Sequence, residues 1–456
     1  MSSYSKIALQ LYRKKKDNSD TKSDSPSDKF AVKLSQILKA LGPGVITGAA
    51  DDDPSGIATY AQAGAKFGLG MLWMTLFLLP TMIVIQEMCA RIGLLSGNGL
   101  AALIKKKYSA KIVYPISSLL IIANTINIGA DLGAMSASVK IIFPEVPFVV
   151  ITILFSAFII IAEIFIPYDK YVKVLKYLVL SLFAYVLTAV IVGGNIDKIL
   201  FTIIPSITFS SDYAIMFVAV IGTTISPYLL FWQTSEEAEE DVAKHRIKEI
   251  GEGKPKVSPK EIMLMKEDIG IGMFFSQFIM WSIIITSAGS LYFAGVTDIQ
   301  TADQAASSLE PLVNSFPNSG QISKLIFAIG IIGTGLLAIP VLSASSAFAL
   351  SDTFGWKEGL EKKFSQAKSF YSVIAASTLI GVWITFSHVN PIQALILAAV
   401  INAVVTLPIL FIVMRLANDR KILEDKVNNH FSNIFGWITF AIMTISVVVM
   451  LLSFII

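Results

Sequence analysis

Apolar residues gather along this chain into runs of roughly 20, the length a helix needs to cross about 30 Å of hydrocarbon. Short polar segments carrying charge, Gly and Pro separate them. The pattern predicts about eleven spans, at residues 41–67, 71–95, 114–143, 148–166, 174–192, 212–232, 269–293, 322–350, 371–386, 391–416 and 434–454. Two of them are interrupted, the first near Asp53 and the sixth at Pro227. An all-α membrane bundle follows, with residues 1–36 as a disordered polar tail, 37–416 as the membrane core and 417–456 as a loop and final helix.

Composition fits that class. Hydrophobic residues make up 54% of the chain and charged residues 15%, more apolar surface than a water-soluble fold can bury. Cys89, the single cysteine, falls within an apolar run, so neither an intramolecular disulfide nor a cysteine zinc centre is available, and it reads as a packing residue. His245, His388 and His430 fall in or near loops, which argues against a histidine metal centre.

The net charge of +3 matters less than its placement. Lys and Arg cluster in the tail (Arg13 to Lys16) and in alternate loops: Lys105 to Lys107 with Lys111; Lys170, Lys173 and Lys176; Lys244 to Lys256; Lys357 to Lys363; and Arg415 to Lys421. The intervening loops are poor in both. Because cytoplasmic loops retain positive charge, the N-terminus is expected inside and the C-terminus outside a cell (inner or plasma) membrane. The basic runs read as topology signals, and no nucleic-acid partner is expected. The segment at 236–265 reads as a solvated cytoplasmic linker. The acidic loop at 298–310 reads as solvated, or as a concentrator of cations at the outer mouth.

Span one contains Gly-Ala-Ala-Asp-Asp-Asp-Pro-Ser-Gly, ending at Gly56. Three carboxylates at membrane depth are costly unless they face water, protein or a cation. Pro54 and Gly56 predict unwinding between Asp53 and Gly56, freeing carbonyl oxygens that need partners. Span six repeats the device in Gly222-Thr-Thr-Ile-Ser-Pro-Tyr, where Pro227 follows Ser226. Two broken helices, each opening a block of five spans, are the signature of an inverted-repeat carrier with a site between its halves, here about 37–195 and 210–416.

At these residues the sequence resembles the Nramp family of divalent-metal transporters, which have a LeuT-like fold. The resemblance extends to Cys89-Ala-Arg-Ile-Gly-Leu-Leu-Ser-Gly-Asn-Gly in and after span two, and to Ala130-Asp-Leu-Gly in span three. The family's first motif is Asp-Pro-Gly-Asn; here Asp53 and Pro54 match and Gly56 stands in place of Asn. Its sixth-span motif is Met-Pro-His, where this chain has Ser226, Pro227 and Tyr228. A thioether suits transition metals, whereas carboxylate, hydroxyl and carbonyl oxygens suit Mg2+ or Mn2+. The pattern is therefore similar to the Nramp-related magnesium transporter branch, with Gly56 leaving room for a partly hydrated ion. The residues that the family associates with proton movement are partly missing: the histidine position is Tyr228, the span-three acidic pair retains only Asp131, and span nine lacks arginines. Proton-independent facilitated transport is the resulting expectation.

The expected metal ligands are Asp53, Ser226 and the carbonyls of Ala50 and Thr223, with Gly56 shaping the unwound turn. Asp131, Tyr228, Asn402 and Asp52 are candidate supporting or pathway residues; Asp51 and Asp52 are candidates to line the vestibule. Glu87 and Arg91 read as an intrahelical pair, and Trp232 as packing or an interface anchor. The metal is cargo, and no cofactor is expected. A proton-coupled Mn2+ or Fe2+ symporter and an amino-acid or other organic-solute carrier on the same architecture remain alternatives. No nucleotide loop, His-Glu metal motif or nucleophile elbow points to an enzyme.

Overall fold

The computed structural model describes residues 43–166, 180–193, 205–208, 210–387 and 389–454. The tail at 1–36, the first part of span five and His388 lie outside the described residues. Among those described, all regular structure is helical.

Span one is built from α1 (Pro43–Asp51) and α2 (Pro54–Phe67). Span two is α3 (Trp73–Ser96), followed by the short α4 (Leu100–Tyr108). Spans three and four are α5 (Ala110–Lys140) and α6 (Phe148–Phe165), and α7 (Phe183–Val192) is the described part of span five. Span six consists of α8 (Ser211–Thr224) and α9 (Pro227–Ala243), and span seven is α10 (Pro259–Ser287), extended by a π turn at Ala288–Tyr292. Two short helices, α11 (Ala302–Ser307) and α12 (Glu310–Val313), lead into α13 (Ser319–Phe354), span eight. Spans nine to eleven are α14 (Lys368–Thr385), α15 (Pro391–Leu416) and α17 (His430–Leu452), with the single turn α16 (Arg420–Leu423) before the last. Among the described residues nine segments are long and apolar enough to cross a membrane, the broken span six (Ser211–Ala243) counted as one of them. The broken span one and the part of span five complete the expected set.

Several helices outrun their apolar cores. Helix α5 starts at Ala110, not 114, and stops at Lys140; α10 starts at Pro259, not 269. Polar end turns belong to the helix but not to the hydropathy signal. At α10 the start is set by a capping box: Ser258 Oγ accepts from the Glu261 amide, the Glu261 carboxylate accepts from the Ser258 amide, and Pro259 occupies the first helical position.

Helices α5 and α13, the third span of each half, pack against each other at the centre. Helix α3 packs on α9, as α10 packs on α2, the pairing that an inverted repeat requires. Lipid gives no hydrophobic drive for helix pairing, so close backbone approach carries the association. A Cβ on Gly93 would lie 2.1 Å from the Thr234 carbonyl oxygen, and one on Gly222 would lie 2.1 Å from that of Ala399. Gly93→Val is therefore expected to separate α3 from α9 and cost about 2 kcal/mol or more. Gly270→Ala, with nothing within 4 Å of the added carbon, should be neutral. Thermal unfolding of the two purified variants, followed by size-exclusion fluorescence, checks the contrast.

The loops sort into two ends. Lys107 pairs with Asp419 at 2.8 Å, Lys254 with Glu424 at 2.5 Å and Lys362 with Glu249 at 3.4 Å, so the basic loops meet one another. The hydrogen bond from Lys107 holds the Asp419 carboxyl below the usual carboxylate range. At the opposite end, Ser206 Oγ donates to the Gly70 carbonyl at 2.9 Å and Asn390 Nδ2 to the Gln300 carbonyl at 2.7 Å.

Two loops are more ordered than their composition suggests. The expected linker at 236–265 shrinks to 244–258, because α9 continues to Ala243 with Glu237 and Asp241 buried. The acidic loop is anchored by its apolar residues while its carboxylates stay at the surface: Ile299, Ala305, Ala306 and Leu309 are buried, and the exposed Asp303 pairs with Lys324 at 2.6 Å. Gln62 of α2 clasps the same loop, donating to Asp298 at 2.9 Å and accepting from the Ile299 amide at 2.8 Å. Helix α2 is thereby sealed at the end opposite the basic loops.

Candidate ion site at the two helix breaks

The first break is shorter than predicted and lies one step earlier. Helix α1 ends at Asp51, residues 52 and 53 leave the helix, and α2 restarts at Pro54. Pro54 initiates rather than disrupts, since a missing amide hydrogen costs nothing at a first helical position. Asp53 is the N-cap of α2: its Oδ1 accepts from the Gly56 amide at 2.7 Å and from Ser55 Oγ at 2.7 Å. Gly56 is thus helical, not unwound, and an added Cβ would meet the Asp51 carbonyl oxygen at 3.3 Å. The second break covers Ile225 and Ser226, with Pro227 again at the first position of the following helix.

The two breaks lie side by side. Ser55 Oγ is 3.1 Å from Thr223 Oγ1, and the Tyr60 hydroxyl is 3.0 Å from Thr224 Oγ1. Tyr228, one residue past the second proline, donates to the Ala50 carbonyl at 3.0 Å and lies 3.5 Å from Asp53 Oδ2. Ser226 Oγ turns back onto its own helix end, donating towards the carbonyls of Thr223 at 2.6 Å and Gly222 at 3.0 Å. The Ile225 carbonyl, freed by the break, accepts from Thr406 Oγ1 of α15 at 2.9 Å. One small region therefore holds Asp53 Oδ2, the carbonyls of Ala50 and Thr223, and the Ser226 hydroxyl. Each carbonyl has two lone pairs, one of them still open to a second partner. Among the described residues no thioether joins these contacts.

The remaining predicted residues fall around this region. Asp131 of α5 is fully buried and neither of its carboxylate oxygens has a hydrogen-bond partner. Asn402 faces α5, accepting from Asn127 Nδ2 at 2.7 Å, while its own Nδ2 is unpartnered. It is Thr406, one turn further on, that reaches the second break. Asp51 and Asp52 do not line a vestibule: both are fully buried and turn to Ser276 of α10. Trp232 is buried against Phe348. The Glu87–Arg91 pair forms at 3.0 Å, and Arg91 also donates to Asn428 at 2.5 Å, tying α3 to the segment before α17. The hydroxyl links from Tyr60, Thr224 and Thr406 were not singled out from sequence. Ser, Thr and Tyr are common in membrane helices, so only the neighbourhood of a break could have pointed to them.

Electrostatics decides what this arrangement can do. Asp51, Asp52, Asp53 and Asp131 are each no more than 1% exposed. Among the described residues none of them has a Lys, Arg or His partner within ion-pair distance. Uncompensated carboxylates in a low dielectric cost several kcal/mol each, roughly, so each of these groups is either held as the neutral acid or accompanied by a cation. The C-terminal ends of α1 and α8 add carbonyl dipoles of the sign that attracts cations. Among the described residues no three acidic, His or Cys side chains converge on one point. Any ion here is held by few carboxylates and several neutral oxygens.

Fold and site together define a LeuT-fold membrane carrier with an oxygen-lined crossing of two broken helices whose buried carboxylates have no basic partner among the described residues. The family model described as natural resistance-associated macrophage protein-like, Nramp, matches residues 44–453, and the chain belongs to that family. A divalent metal cation transporter MntH from Erwinia tasmaniensis is 24% identical over 69% of this chain and 73% of its own length. Its namesake from Staphylococcus saprophyticus is 23% identical over 96% of each. Among solved structures, the manganese transporter of Eremococcus coleocola superposes with a TM-score of 0.69 at 14% identity, covering 95% of this chain and 89% of that one. MhsT in complex with L-phenylalanine follows the same fold, with a TM-score of 0.57 at 11% identity over 90% of this chain and 98% of that one.

Proposed function

We propose that this protein carries a hard divalent cation, Mg2+ in preference to Mn2+, across the cell membrane by alternating access and without proton coupling. The observation that carries the reading is the donor set at the crossing: Asp53, two backbone carbonyls and the Ser226 hydroxyl, where the family resemblance places a methionine. Such oxygens fit Mg2+ and Mn2+ and offer nothing to a soft ion. Mg2+ sheds its water reluctantly, which suits a site with one carboxylate at its centre and neutral oxygens around it.

The ion enters and leaves by rearrangement of span one against spans six and seven. Towards the basic end α1 is latched: the Gly44 amide donates to Asp268 of α10 at 2.7 Å, and Thr47 Oγ1 donates to Gln233 of α9 at 2.6 Å. Towards the other end the clasp of Gln62 on the 298–299 backbone closes α2. We read the described state as occluded, since both ends are held by these contacts and Asp53 and Ser226 are buried. With the basic end cytoplasmic, as the charge distribution indicates, breaking the latch releases the ion inward. The membrane potential alone supplies about 4.6 kcal/mol per 100 mV for a divalent ion, twice the single-charge value.

A second reading, a Mn2+ carrier coupled to protons, is favoured by the names of the relatives and by the survival of Asp131 among unpartnered buried groups. Liposome flux separates the two. Under the first, Mg2+ and Mn2+ enter, Cd2+ enters poorly, and a lumenal pH dye stays flat as metal accumulates. Lumenal acidification in step with metal entry refutes proton independence, and robust Cd2+ flux without Mg2+ flux refutes the preference.

A further inference from the structure

The site around Asp53 leaves two of the three consecutive aspartates without a role. Asp53 turns towards α9, where Tyr228 meets it, whereas Asp51 and Asp52 turn towards α10. There Ser276 Oγ lies 2.6 Å from Asp51 Oδ2 and 3.4 Å from Asp52 Oδ1. One hydroxyl proton serves one of these oxygens. The other oxygens, Asp51 Oδ1 and Asp52 Oδ2, are buried and accept no hydrogen bond, on side chains with no measurable exposure. Two adjacent carboxylates have thus been brought to one polar group of a neighbouring helix, and among the described residues neither has a basic side chain within ion-pair distance.

We propose that Asp51, Asp52 and Ser276 form a second divalent-cation subsite, on the α10 side of the first break and occupied together with the one at Asp53. Charge balance accommodates it: with all four buried carboxylates ionised, one divalent ion offsets two of them and a second offsets the remaining pair. So does chemistry, since two carboxylates and a hydroxyl are hard donors of the kind that hold Mg2+ or Mn2+. Asp51 is the last residue of α1, and α1 packs along α10 closely enough that a Cβ on Gly48 would sit 2.3 Å from the Gly272 carbonyl oxygen. An ion at this subsite therefore pins the end of α1 to α10, the contact that must loosen for release towards the basic end.

This inference rests on the reading of the chain as a divalent-cation carrier, and the test keeps the two apart. Mn2+ is the probe, added to the full-length protein in lipid nanodiscs, with bound metal counted by equilibrium dialysis and its spin state read by electron paramagnetic resonance. The expected result is two Mn2+ per chain at saturation, with a spectrum broadened by magnetic coupling between neighbouring ions. Asp52→Asn and, more gently, Ser276→Ala should remove or weaken one of the two and restore the sharp lines of an isolated ion. Saturation at a single Mn2+ with an uncoupled spectrum overturns the second subsite and leaves the carrier reading intact. No bound Mn2+ or Mg2+ at any concentration would overturn both.

Discussion

Asp53→Asn is expected to abolish divalent-cation uptake, by about 100-fold or more, the equivalent of roughly 3 kcal/mol, while leaving the fold in place. The choice of asparagine matters because Asp53 does two things. Its Oδ1 caps α2 through the Gly56 amide, and its Oδ2 faces the crossing beside Tyr228. Asparagine is as good an N-cap as aspartate, so the helix start survives and only the charge is lost. Asp53→Ala removes both and is expected to lose about 1 kcal/mol of stability in addition. Uptake of Mg2+ and Mn2+ into liposomes, compared with thermal unfolding of the same samples, separates the roles. If the asparagine variant transports as the wild type does, Asp53 is a helix cap and the proposed ion site has no anionic centre.

That double duty also explains what could and could not be read from the chain. The spans were legible because hydrocarbon thickness imposes one length on them all, and α15 begins and ends where the apolar run does. The breaks were legible because carboxylates, Gly and Pro have no bland place at membrane depth. Their exact position was not: Pro54 can disrupt a helix or start one, and only the cap formed by Asp53 decides for the second. Residues 236–243 were misplaced for a related reason. Their charge reads as solvent-facing, yet Glu237 takes a hydrogen bond from Gln233 one turn earlier and is buried with it between helices. Long-range partners left no trace in the sequence. Ser276 is an ordinary serine in an ordinary apolar span until Asp51 and Asp52 are seen to meet it, and Asn127 gains meaning only opposite Asn402.

Ser226→Met is expected to invert the ion preference, raising the ratio of Cd2+ to Mg2+ flux by about tenfold or more, or roughly 1.4 kcal/mol. In the wild type the Ser226 hydroxyl donates to the Thr223 and Gly222 carbonyls, and in the proposed site its lone pairs serve the ion. A thioether has no proton to give those carbonyls and is a weak acceptor, so the oxygen count at the site falls. What it adds is a polarisable sulfur, which favours soft metals and does nothing for an ion that prefers water or carboxylate. Methionine is also larger, and Ser226 is 1% exposed, so packing strain of about 1–3 kcal/mol accompanies the exchange. Ser226→Ala controls for the hydroxyl: it removes the same two hydrogen bonds without bulk or sulfur, and should lower Mg2+ flux without any gain for Cd2+. If both variants lose Mg2+ and Cd2+ flux in proportion, residue 226 shapes the break but does not face the ion. If only the methionine variant gains Cd2+, the residue before the second proline selects the cargo.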